Sequence, residues 1–600
     1  MWGIMVRSMI HALRIRLLWI AQRKTLAILL VGLLPLALRL ALLPWMPAPD
    51  PRVQDEFSHL LLADTLGHGR LVNPVHPMWV HFESMHIMTR PVYGSVFPMA
   101  QGAVLAIGKA LLGHPWGGVL LSVGCMCAAV CWMLQQWVSP GWAMFGGVMA
   151  GIRFGVFSYW MNSYFGGAVA AAAGALVLGA APGVMRRRDW RHAVVMAVGL
   201  AILANSRPYE GAVFSVPVIT IVTWTLWKRR GGWAFLAPGV FILAAAGAFL
   251  GYYCWRFSGN PLQLPYSFYR GTMTVAPHFI FQQPRPAPVY RHWALREFHT
   301  VWEAGSYEAA RENRSPYGLM DKAMTYWRFF LGPMLTLPLL YLPWLLRRRR
   351  VRLLVFAIAW VCAGLAAEVW LAPHYAAPAL ALVLLLVVLA LRQLERTAPW
   401  ILSGAIAGSC LLTPVVGGSG MPFDGGNRAA ILRRLESDGG RHLLLVRYTR
   451  THDPGDEWVY NGADIDGEQV VWAREMDPLS NRKLMAYYRG RTAWLVEPDT
   501  KPEVVREYGH APPPERPFAF VRLGEDGIDV LRSPEDIKRR VLAAAEEYDG
   551  AALNCDQWNY LFTEATGVEA PDAGRGCFPP GQRGLPIRFD VWFSWLKKQQ

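Results

Sequence analysis

Charge is scarce in this sequence. Only 17% of its 600 residues are Asp, Glu, Lys or Arg, against 53% hydrophobic ones, and the mean hydropathy is +0.22. A soluble chain of this length carries more charge and fewer apolar blocks, so a wholly soluble protein is excluded. Cysteine is sparse and unpatterned: the eight residues form no CxxC pair and no zinc-ligand spacing, which argues against a thiol redox motif or a structural zinc. Cys125, Cys127 and Cys131 lie inside an apolar run and read as small core residues. Cys555 and Cys577 fall in the polar C-terminal region and can pair if that region is extracytoplasmic. No Gly-rich phosphate loop and no repeat of the solenoid type occurs there. Acids are also outnumbered, giving a net charge of +16. The excess does not point to nucleic acid, because the Arg and Lys residues sit in short clusters between apolar blocks, as positive-inside loops do.

What is present is a series of apolar segments and 27 tryptophans, rings suited to the lipid–water boundary. The expected fold class is a polytopic α-helical membrane protein with a C-terminal soluble α/β or α+β domain. The start is basic and feeds a long apolar run, so Thr25–Trp45 reads as a first span that is retained, with no cleaved signal peptide expected. Basic clusters at the N-terminus (Arg7 to Lys24), 186–191, 228–230, 347–352 and 392–396 then act as a ruler. If all are cytoplasmic, an even number of spans separates each neighbouring pair. Five apolar segments fall between the first two clusters, near 25–45, 96–112, 115–137, 141–160 and 167–184. The weakest, with Pro98, Gln101 and Lys109, is assigned as an interfacial helix. Spans near 192–205, 211–227, 232–253, 327–346, 353–370, 376–391 and 399–417 complete a count of eleven. This arithmetic predicts a multi-pass protein of the inner (plasma) membrane, N-terminus cytoplasmic and C-terminus periplasmic. Residues 1–417 form the membrane module, with extracytoplasmic loops at 46–114 and 254–326, and 418–600 form the soluble domain. Within it "RHLLLVRY", "EQVVWAREM" and "RTAWLVEPD" read as strands, and "SPEDIKRRVLAAAEEY" as a capped helix.

Chemistry-bearing residues gather on the side predicted to be extracytoplasmic. Asp55 and Glu56 follow the first span. Acids in the first turn of a helix stabilise its dipole and satisfy free N–H groups; a carboxylate near a low-dielectric boundary is expected to have a raised proton affinity and can also serve as a general base. The two readings are compatible. His76, His81, Glu83, His86 and Arg90 crowd the next stretch. Such a cluster can bind a divalent metal, and a surface loop at headgroup depth can carry it too; its spacing matches no helix-based site such as HExxH. Arg207 and Glu210, Arg270, and His374 with Tyr375 fall on the same face. Each alone suits an anchor or a turn, and their convergence is what leans towards function.

This constellation resembles the GT-C class of membrane glycosyltransferases, with the protein O-mannosyltransferase-like and bacterial aminoarabinose transferase groups nearest. The likeness rests on the Asp55-Glu56 pair, on Phe82-Glu83 in "HFESMH", on the interfacial helix and on "HYAAPALAL" near the last spans, and it covers residues 1–417. "SYWMNSYFGG" departs from it, lacking the acid that many relatives carry there, which puts the usual metal site in doubt. The resemblance implies a polyprenyl-phosphate sugar donor, an extracytoplasmic acceptor, a lipid surround and a single inverting displacement. Asp55 would then be the base, with Glu56 positioning it or the acceptor. Arg207, Arg270, His374, Tyr375 and Arg90 would hold the donor and its phosphate. Glu83 and His86 would orient the donor or a divalent metal ion. A transporter or lipid-linked-glycan flippase is the alternative, to which Arg153 within an apolar segment belongs; a non-enzymatic membrane scaffold is another. The former calls for polar or broken helices at mid-membrane in repeated halves, whereas the polar residues here collect at one face.

Overall fold

Helices dominate the computed structural model, which describes residues 15–229, 232–288, 290–312, 316–397, 426–449, 452–453, 455–476, 478–500 and 503–510, and beyond these only 538, 541, 542, 558 and 562. Among the described residues six helical stretches are long and apolar enough to cross a membrane: Lys24–Ala41, Trp116–Leu134, Ala168–Arg187, Pro208–Lys228, Ala234–Ser258 and Pro373–Thr397. Met99–Leu112 has 14 residues, about 21 Å at 1.5 Å per residue, short of a hydrocarbon core of about 30 Å. Small residues set the packing. A Cβ on Gly108 would lie 1.9 Å from the backbone nitrogen of Gly118, and one on Gly174 would lie 2.1 Å from the Pro378 carbonyl. Apolar surface gains little by leaving lipid, so backbone approach of this kind is what lets such helices associate. The alanine-rich Ala168–Pro182 helix is accordingly buried along nearly its whole length.

Six of the eleven expected spans match these helices; those near 192–205 and 353–370 form the helices Trp190–Ala204 and Arg349–Ala366, which are not among the six, and two more are interrupted. The one near 327–346 is broken: a helix over Pro316–Phe330 is followed by short turns over Gly332–Thr336, Leu337–Tyr341 and Leu342–Leu345. Pro333, Pro338 and Pro343 recur every five residues there, each removing an N–H and clashing with the turn before it. The segment near 141–160 is interrupted by wider π turns over Gly151–Val156. The last expected span (399–417), all but three residues of the 533–548 helix, Arg7 and Arg14 of the N-terminal basic cluster, and the Cys555–Cys577 pair lie outside the described residues.

The three expected strands form at His442–Val446, Val470–Arg474 and Thr492–Glu497. They pair in parallel with His442–Val446 in the centre, and Val504–Glu507 joins Thr492–Glu497 antiparallel. The domain is therefore α/β around a parallel core, with strands apolar on both faces as such sheets require. It is fastened to the first extramembrane loop. Phe57 stacks on Tyr460 at 4.7 Å, Asp64 accepts the Ala463 N–H at 2.8 Å, the Tyr93 hydroxyl donates to the Asn461 carbonyl at 2.8 Å, and Arg474 donates to the Glu83 carbonyl at 2.5 Å.

Candidate active site

The adjacent acids at the start of the Gln54–Gly67 helix have separate fates. Glu56 is spent on backbone. One carboxylate oxygen accepts the N–H groups of Arg52 at 2.8 Å and Val53 at 3.1 Å, and the other accepts the Tyr164 N–H at 3.1 Å. It satisfies orphan donors of the first turn and ties the helix to the 158–167 linker. Burial pushes its carboxyl up to about 7; the three N–H donors oppose this and the charge of Asp55 adds to it. Asp55 turns away, 29% exposed, with Oδ1 2.6 Å from Nδ1 of His86. Burial acts to raise it, but the charge and hydrogen bond of His86, with the charges of His59 and Arg207, outweigh that and hold it below the usual carboxylate range. Oδ2 makes no hydrogen bond among the described residues, so Asp55 is an oriented anion with one oxygen to spare.

His86 is held at φ +58°, a left-handed conformation that a non-glycine residue keeps only when its surroundings fix it. Three partners do so. Its N–H donates to the Tyr269 hydroxyl at 3.2 Å, its carbonyl accepts from Ser58 Oγ at 2.7 Å, and its ring meets Asp55. Ser58 and His59 follow Asp55 by three and four residues, so all three share one helix face.

Glu83 and His86, expected to orient the donor or a divalent metal ion, have separate partners. Glu83 is buried against the guanidinium of Arg291 at 3.2 Å, with His292 3.5 Å from its other oxygen, while His86 belongs to Asp55. Among the described residues no group of three or more His, Cys, Asp and Glu side chains stands together as metal ligands do. These residues do not fit a resident metal, and no step below is routed through one. Arg90 lies 5.3 Å over the Trp79 ring, which Arg291 also meets, and is not on the cavity wall described next.

A cavity of about 340 Å³ opens beside the Asp55 helix. Val169 and Pro208 mark the beginnings of two spans and Tyr375 that of a third, and Leu250 lies late in the span ending at Ser258. Arg186–Arg188, Lys228–Arg229 and Arg392–Arg396 mark the opposite ends of the three that begin here. One end of the bundle thus carries the cavity and the other the basic clusters. Part of the wall is apolar, from Val169, Ala170, Leu250 and Leu264, and part is cationic, from Arg207, Arg270 and Arg285. Arg207 stands just before Pro208, whose fixed φ begins the next helix. It lies 3.6 Å from Glu210 and 4.7 Å over the Tyr375 ring. Arg270 pairs with Glu303 at 2.8 Å and stacks 5.2 Å over Trp370; Arg285 donates to the Arg270 carbonyl at 2.8 Å.

Two histidines on this wall keep buried Nδ1 atoms without a hydrogen-bond partner among the described residues, His59 and His278. Burial pushes His59 down to about 3, against Asp55 and assisted by Arg207 and His86; it pushes His278 down to about 4, with Arg270 and Arg207 adding. Both are neutral near pH 7. Buried polar atoms are rarely left unpaired, so these two are suited to meeting polar atoms of a ligand. The sequence reading passed over His59, Arg285, His278 and Glu303. The four-residue spacing from Asp55 was a usable signal for His59; the others come from the long 254–326 segment, where no periodicity marks them. His374, expected to hold the donor or its phosphate, is buried, with its Nδ1 2.9 Å from the Tyr159 hydroxyl, which also accepts its backbone N–H at 3.0 Å. That commitment leaves Tyr375, not His374, on the wall. Asp55 itself is not a wall residue, but its charge acts on two that are, His59 and Arg207.

No family model matches the chain, and no curated protein matches it. Among solved structures it is similar to ArnT from Cupriavidus metallidurans in the apo state, at 14% identity over 78% of this chain and 92% of that one, with a TM-score of 0.44. It is also similar to the Archaeoglobus fulgidus oligosaccharyltransferase AglB in complex with an inhibitory peptide and a dolichol-phosphate, at 11% identity over 80% of this chain and 70% of that one, TM-score 0.36.

Proposed function

We propose that this chain is a GT-C-type membrane glycosyltransferase, moving a sugar from polyprenyl phosphate to an acceptor hydroxyl on the extracytoplasmic side. The observation that carries the reading is the cavity at one end of the bundle, part apolar and part cationic, set beside an anionic carboxylate. Arg207, Arg270 and Arg285 offer three guanidinium groups to a phosphate. Val169, Ala170, Leu250 and Leu264 offer an apolar surface to the first isoprene units, and Tyr375 completes the wall beside Arg207.

Asp55 Oδ2 takes the proton of the acceptor hydroxyl while the acceptor oxygen attacks the anomeric carbon. The bond from that carbon to the phosphate oxygen breaks, its electron pair leaves with the phosphate, and the anomeric configuration inverts. The arginines counter the charge that develops on the departing phosphate. A depressed proton affinity keeps Asp55 ionised at working pH, and the hydrogen bond from His86 fixes which oxygen remains free. Glu56 positions Asp55 by fastening the helix start that carries it.

Purified protein in lipid vesicles, given radiolabelled polyprenyl-phosphate sugars and an extract of envelope acceptors, tests this. Movement of label from lipid to acceptor is expected. Label retained on every donor offered, with folded protein and acceptor present, would remove the enzymatic reading.

A further inference from the structure

Behind His86 runs a buried chain of side chains that the proposed chemistry does not use. Glu303 lies 2% exposed and His299 is fully buried; Tyr269 is fully buried as well. Glu303 Oε2 is 2.6 Å from His299 Nδ1, and His299 Nε2 is 3.1 Å from the Tyr269 hydroxyl. That hydroxyl accepts the His86 N–H at 3.2 Å. The other Glu303 oxygen accepts from Arg270 on the cavity wall at 2.8 Å.

The proton positions follow from counting donors. Glu303 receives Arg270 on one oxygen and is an anion: burial acts to raise its carboxyl, but the hydrogen bond from His299 and the charges of Arg270 and His299 hold it below its usual range. His299 Nδ1 therefore donates to Glu303. Burial drives His299 towards the neutral form, although Glu303 opposes this, which leaves Nε2 with a lone pair. The Tyr269 hydroxyl has a single proton, so it donates to Nε2 and its oxygen is free to accept from His86. Each group has one role and each role is filled. The polar atoms of Glu303, His299 and Tyr269 are all paired, while the buried Nε of Arg270 has no partner among the described residues, and buried side chains paired in this way fix geometry. The chain ends on a backbone N–H, so it carries no proton to Asp55; what it transmits is position.

We infer that Glu303, His299 and Tyr269 are positioning residues that hold two functional groups in one frame, Asp55 through the backbone of His86 and Arg270 through its guanidinium. The inference rests on the glycosyltransferase reading for its kinetic consequence but not for its geometry. Holding a base and a phosphate-binding cation at a fixed separation matters because small misplacements of reacting groups cost large factors in rate. The bracket acts on the segment from His86 to Ser95 through the His86 N–H. That segment is tied to the Asp55 helix by Ser58, which bonds both the His86 carbonyl and Ser95 Oγ.

Tyr269→Phe is the sharpest probe, since it removes one oxygen and keeps the ring. In the full-length reconstituted protein kcat is expected to fall about 10- to 100-fold, the scale of one buried hydrogen-bond network losing its link, with the donor KM within about twofold. Glu303→Gln is expected to raise the donor KM as well, because Arg270 loses its countercharge. Amide exchange supplies a readout that needs no activity: the His86 N–H is expected to exchange about tenfold faster in Tyr269→Phe than in wild type. Unchanged kcat together with unchanged exchange would overturn the inference, as would a donor KM that rises in step with a falling kcat in Tyr269→Phe. If no donor is turned over by wild type, the functional reading fails, while the exchange comparison still decides the bracket.

Discussion

Asp55 Oδ1 lies 2.6 Å from His86 Nδ1. The contact joins the first turn of the Gln54–Gly67 helix to a residue held in a left-handed conformation. It spends one carboxylate oxygen, leaves the other open and keeps the group ionised.

Replacing Asp55 by Asn keeps the shape and removes the base. Transfer is expected to fall by roughly 10²- to 10⁴-fold in kcat, with donor affinity little changed because the arginines remain. Steady-state kinetics in vesicles separate the two parameters.

His86→Ala removes the group that holds the Asp55 carboxyl low while its burial remains. The folded affinity of Asp55 for protons lies below the unfolded value, so its contribution to stability is present above about pH 4 and is lost as pH falls through the folded value. In wild type the acid limb of transfer that Asp55 sets lies below about pH 4. In His86→Ala that limb moves upward by about one unit or more, and a pH–rate profile shows it. An unmoved limb would mean that His86 does not set the ionisation of Asp55.

Burial brings the Glu56 carboxyl up to about 7. Its folded affinity for the proton is raised above the unfolded value, so the stabilisation it brings is full below about pH 4.5 and is lost as pH rises through 7. A downward step in melting temperature between about pH 4.5 and 7 is expected. Glu56→Gln is expected to flatten that step and to retain most of the transfer, whereas Glu56→Ala strips three backbone N–H groups of their acceptor and lowers the melting temperature at every pH.

Arg207→Gln removes a guanidinium from the cavity wall. The donor KM is expected to rise about 10- to 100-fold, the weight of one or two charge-assisted hydrogen bonds. Lys at this position is expected to recover part of the loss, since it restores the charge but not the planar fork. Bare polyprenyl phosphate used as a competitive ligand measures the same loss without turnover.

Much of the fold was legible because hydrophobic length and basic punctuation are local signals. The helices at Lys24–Ala41, Trp116–Leu134 and Pro208–Lys228 and the three parallel strands coincide with runs visible in the sequence. The break after Phe330 was written in three regularly spaced prolines, but average hydropathy hid it. Glu56 illustrates a harder case: adjacent acids look alike in sequence, and only the partners Arg52, Val53 and Tyr164 show that one of them is structural. The cavity wall was half visible. Arg207, Arg270 and Tyr375 announce themselves as polar or aromatic residues near helix ends. His278, Arg285 and Glu303 reach the site through the folding of a long segment without periodicity. The contact of His374 with Tyr159 was not legible, because a histidine at a helix start can turn either way and only the folded chain brings that hydroxyl to its Nδ1.

The most direct test is single-turnover transfer by wild type and Asp55→Asn, with both proteins saturated with the same polyprenyl-phosphate sugar and shown by melting to be folded. The account predicts transfer in wild type and a loss of at least about 100-fold in the variant at equal donor occupancy. Equal rates from the two proteins would contradict it.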